Sequence, residues 1–139
     1  MLDFKWRYVV IGVIGWAFFV GFIRLLGPAV FSIGSPWLPV MYVVAIPLVF
    51  VSTYPIQAAA GTSMRDIVFP VFVITFTAII LDGLAVGFTG IYGATDDQVR
   101  ASAGILLWGG GWGMVSALIL ARRAATRTAD IAPTPVTDA

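Results

Sequence analysis

Four stretches of this chain run for about twenty residues each with scarcely a charge, the length a helix needs to cross a hydrocarbon core of roughly 30 Å. The first extends from about Tyr8 to Leu26, interrupted only by Arg24, and Gly27-Pro28 breaks it. The second runs over 38–59, the third over 67–91 with Asp82 inside it, and the fourth over 101–121 with no charge. Isolated strands cannot satisfy their backbone groups in lipid, so these stretches must be helices. The expected fold is all-α: an integral membrane four-helix transmembrane bundle over residues 1–122, with helices at about 8–26, 38–59, 67–91 and 101–121, followed by a polar tail over 123–139. A cleaved signal peptide is the competing reading of the first stretch. Its apolar run is too long for one, and no A-x-A pattern follows, so it is read as an uncleaved anchor.

Composition closes off the alternatives. Hydrophobic residues make up 60% of the chain and charged ones 11%, against about a quarter charged in a soluble domain. A soluble chain this short could not hide so much apolar surface. A net charge of +1 gives no reason to expect nucleic acid as a partner. The chain holds no Cys and no His. Thiolate chemistry, the commonest general base and the usual haem ligand are therefore missing, and the expectation is a protein that is not an enzyme and binds no metal.

Basic residues orient the bundle. Lys5, Arg7, Arg65, Arg122, Arg123 and Arg127 fall on one side of four spans, with Arg100 on the other. Both termini are thus expected to be cytoplasmic. Trp6 and Tyr8 mark one interface, Trp37 and Tyr92 the other.

Asp82 is the single acid within a span, and an acid there is by default a functional candidate. A structural ion pair is the plainer reading. Arg24 lies 16 residues past Tyr8 and Asp82 15 residues past Ile67. At about 1.5 Å per residue the two sit at nearly equal depth, so Arg24 and Asp82 are expected to pair. Around Asp82, the residues Thr75, Ala78, Ala85 and Thr89 form a small, polar seam, and Gly83 and Gly87 add a small-xxx-small pair on the adjoining face. In the fourth helix Gly109, Gly113, Ala117 and Ala121 form a ladder at spacing four, expected to lie against another helix, in this chain or another. Gly109-Gly110-Gly111 lacks the Lys-Ser/Thr ending of a phosphate loop and sits within a span. Pro47 and Pro55 should kink the second helix and free the carbonyls of Val43 and Val51, with Ser52, Thr53 and Gln57 as nearby donors. Asp96 and Asp97 read as a solvated turn.

Gly15-Trp16, Phe22-Ile23-Arg24, Leu81-Asp82 and Leu106-Leu107-Trp108-Gly109 resemble the motifs of an uncharacterised family of small four-helix bacterial membrane proteins, a domain of unknown function. The resemblance covers roughly residues 8–122. It implies four helices and an important Asp82, and the family has no assigned activity; the expected location is a bacterial inner (cytoplasmic) membrane.

Two functional readings follow. One is a non-enzymatic accessory, structural or assembly subunit of a respiratory or photosynthetic type of membrane complex. The other is a small proton- or ion-coupled transporter working as an oligomer, with Asp82 as coupling acid. No cofactor is expected, although bound lipid, quinone or carotenoid could fill apolar grooves. Expected partners are the bilayer and other membrane subunits or further copies. The readings differ in structure: a subunit needs Asp82 capped by Arg24, and a transporter needs a cavity that reaches Asp82.

Overall fold

The computed structural model describes the backbone of residues 5–131 and their side chains, apart from those of Pro28 and residues 128–131. It contains α1 (Trp6–Val30), α2 (Trp37–Ala60), a 3-10 turn (Met64–Asp66), α3 (Val68–Phe88) and α4 (Asp96–Ile131). All four helices are long and apolar enough to cross a membrane. The polar tail expected over 123–139 begins as helix. α4 continues well past the apolar span, because Ala124 and Ala125 favour helix and nothing between Arg122 and Ile131 breaks it. Residues 132–139 lie outside the described residues.

The helix ends follow from local chemistry. α1 is broken at Gly27, whose φ of 55° and ψ of −154° suit glycine alone. α2 ends at Gly61 in the left-handed conformation, the usual helix stop. Thr89 turns extended and donates its hydroxyl to the carbonyl of Ala85 at 2.7 Å, closing α3. α4 opens with a reciprocal cap. The Thr95 hydroxyl accepts from the Gln98 backbone, and Gln98 accepts from the Ala94 backbone at 2.7 Å. Within α2 the hydroxyls of Ser52 and Thr53 both donate to the carbonyl of Val49, rather than to the carbonyls freed by proline.

The helices close a ring in which α1 packs on α3, α3 on α4, α4 on α2 and α2 on α1. Of these four neighbouring pairs, α1 and α2 touch least. Two polar contacts join α2 to α4. Trp108 donates to the carbonyl of Tyr42 at 2.9 Å, and the buried hydroxyls of Thr53 and Ser116 lie 3.0 Å apart. Buried residues collect at the two ends of the ring. At the end where α1 begins, Ile67 and Val71 pack with Ala117 and Ala121, and Tyr8 packs with Ala60 and Val73. At the far end Val20, Ile23 and Phe31 pack with Ala85, Tyr92 and Ile105.

The expected glycine contacts are only partly found. Ala117 and Ala121 are buried against α3 as the ladder implies, but Gly109 and Gly113 have open space where a side chain would begin. Gly83 and Gly87 are likewise open and lie on the outside of the bundle. Small residues permit close approach without compelling it. The close approach falls instead at Gly12. A Cβ there would come within 2.9 Å of the carbonyl oxygen of Ile74 and of the Thr77 side chain. Gly12→Leu is therefore expected to lose about 1–3 kcal/mol of stability through overpacking, measured by thermal unfolding in detergent. Gly83→Ala should leave stability unchanged or raise it slightly. Equal tolerance at the two positions would show that α1 and α3 are not in close contact at Gly12.

Candidate functional site

At the far end three side chains from separate elements meet. α1 presents Trp16, α3 presents Asp82, and the connection between α3 and α4 presents Tyr92. The indole N–H of Trp16 donates to Asp82 Oδ1 at 2.8 Å and also lies 3.0 Å from the Tyr92 hydroxyl. That hydroxyl donates in turn to the same Oδ1. Tyr92 is itself held in place, since the fully buried Ser102 of α4 donates to its carbonyl at 3.3 Å. Burial, then the hydrogen bond to Asp82, pushes the Tyr92 hydroxyl well above its ordinary range. It remains a protonated donor.

Arg24 and Asp82, expected to pair, are not brought together. The Arg24 guanidinium donates to the carbonyls of Gly90 and Ile91, at 3.5 and 3.4 Å, while Asp82 is served by Trp16 and Tyr92. Equal depth for the two residues requires Tyr8 and Ile67 to be level, and they are not. In the bundle Tyr8 packs against Phe69 and Val73, and Gly12 against Ile74 and Thr77. α1 is thus displaced along α3 by a little more than one turn, about 6 Å. That offset puts Trp16 at the level of Asp82 and carries Arg24 on to the carbonyls beyond α3.

Between the two packed ends lies a cavity of about 230 Å³, lined from all four helices. It sits where side chains are smallest: Gly15, Gly109 and Gly113 line it, and each has open space at its missing Cβ. Asp82 is the one ionisable residue in its wall. Phe19 and Leu48 also line it while remaining 42% and 48% exposed. They mark where the cavity reaches the outside of the bundle, between the two neighbouring helices that touch least. A second cavity of about 340 Å³ lies beyond it and is lined by Arg24, Gln98 and Tyr92. Ile23 and Phe31 border both cavities. With Tyr92 they make a buried layer between a polar outer chamber and an apolar inner one. Asp96 and Asp97 are exposed in the first turn of α4, and among the described residues no three carboxylates gather to hold a metal.

The sequence reading marked Asp82 but not its partners. Trp16 stood in it only as part of a motif, and Tyr92 only as an interface marker. Both carry an N–H or O–H that must find an acceptor when buried, which is the signal that could have pointed to Asp82.

Tyr92→Phe removes one of the two donors to Asp82 and should cost about 1–3 kcal/mol. It should also alter the alkaline limb of stability. With the folded-state hydroxyl held above its ordinary value of about 10, the unfolded chain gives up this proton first. Stability therefore falls as pH rises above about 10, and that component should be missing from the variant. Equal alkaline slopes in the two proteins, followed by thermal unfolding, would show that Tyr92 is not shielded.

Comparison with known proteins adds no relative: no family model, no curated protein and no solved structure matches this chain.

Proposed function

We propose that this chain is a multi-pass protein of a bacterial inner membrane, with both termini cytoplasmic, that carries a small lipophilic molecule through the centre of its bundle with Asp82 as the coupling acid. The observation that carries this reading is the cavity lined by all four helices and reaching Asp82. A carboxylate neutralised by Arg24 would have favoured a static subunit. Here Arg24 is engaged by backbone carbonyls, and Asp82 keeps a place in the cavity wall. Packed clusters flank the cavity at its two ends, and its opening lies to the side, between α1 and α2. The exposed apolar side chains along all four helices suit a lipid surround.

The chain contains no cysteine, so a single introduced one reports without background. Ala78 lines the cavity. As a carrier opens to water in turn, Ala78→Cys in sealed vesicles is expected to react over time with a charged, membrane-impermeant methanethiosulfonate from an aqueous side. Failure to react from either side, while Ala94→Cys reacts readily, would overturn the carrier reading. The same reagent tests the orientation. In intact cells Ala94→Cys should be labelled and Ser63→Cys should not, and the reverse pattern would invert the topology.

A further inference from the structure

The hydrogen bonds to Asp82 are unevenly shared between its two oxygens. Trp16 and Tyr92 both serve Oδ1. Oδ2 takes no hydrogen bond among the described residues. Nor is it sealed off, because no buried side-chain oxygen or nitrogen among these residues lacks a partner. With Asp82 in the cavity wall, Oδ2 remains as an acceptor open to a ligand. A carboxylate oxygen in apolar surroundings is stabilised strongly by an opposite charge, and no Lys or Arg lines this cavity to supply one. The hydroxyls of Ser52 and Thr53, also in the wall, are committed to the carbonyl of Val49.

The rest of the wall selects further. On the α1 side it is aromatic, with Trp16, Phe19 and Phe22, and Phe31 closes it from beyond. Aromatic rings attract a cation over their faces through the ring quadrupole. On the α4 side Gly109 and Gly113 leave room for an apolar body. An apolar cavity of about 150 Å³ holds benzene, so about 230 Å³ has room for one ring with a compact head group. An anion would meet Asp82, and a dication would bury a second charge with no counter-charge.

We propose that this cavity is a binding site for a lipophilic organic monocation, its ammonium head against Oδ2 of Asp82 and its apolar body between the aromatic wall of α1 and the glycines of α4. The inference rests on the cavity being a ligand site, and it adds the charge and class of the ligand.

Two probes separate the two claims. Benzyltrimethylammonium and neopentylbenzene share one shape, and only the first is charged. Binding of each to the purified full chain in nanodiscs is read from tryptophan fluorescence and from the rise in Tm with probe concentration. The expected result is that the cation binds at least tenfold more tightly than the neutral probe. Asp82→Asn should abolish that preference, and Gly113→Leu, which fills the cavity, should weaken both probes. Should Asp82→Asn not fold, the wild-type ratio and Gly113→Leu decide. Equal affinities, or a preference for neopentylbenzene, would overturn the cation assignment and leave an apolar ligand site standing. No binding of either probe would overturn the ligand site as well.

Discussion

A carboxylate placed between apolar helices must find its hydrogen-bond donors within the protein, and Asp82 imposes that requirement on the far half of this bundle. Hydrogen bonds to a charged acceptor contribute about 1.5–3 kcal/mol each, and the two that reach Oδ1 come from different elements. Trp16 ties α1 to α3 at that level. Tyr92 draws the α3–α4 connection over the end of the ring, where Ser102 secures its backbone. The same tyrosine bonds the acid of the inner cavity and lines the outer chamber. One polar constraint thus sets the helix register, the path of a connection and the boundary between two chambers.

The hollow has a complementary origin. Interiors pack to crystal-like density where side chains of matched size meet. This happens at both ends of the bundle, around Ile67 and Ala117 and around Ile23 and Phe31. Between them several wall positions are glycine, and the helices do not close up to compensate. Thr53 and Ser116, together with Trp108 on the carbonyl of Tyr42, hold α2 beside α4 at a set spacing. Gly12 brings α1 onto α3 on the opposite side. With both pairs anchored and both ends filled, Gly109 and Gly113 of α4 are left facing space. The result is an apolar chamber with a single acid in its wall, where charge and shape together select an occupant.

How much was legible in the chain depended on the range of the interaction. The four helices and the break at Gly27 were determined by the sequence itself, because hydrophobic runs, proline and glycine act over a few neighbouring residues. The singularity of Asp82 was also plain from its surroundings in the chain. Its partner was not. Arg24 matched Asp82 in depth only if the apolar runs began level, and tertiary packing of Tyr8 on Phe69 and Val73 shifted α1 along α3. The role of the small residues was decided in the same way. Gly12, Gly83 and Gly113 differ little as residues in apolar helices, yet one lies against a neighbouring backbone, one faces outward and one lines a cavity. A glycine specifies the absence of a side chain, and only the placement of the other helices decides whether that absence becomes a contact or a void.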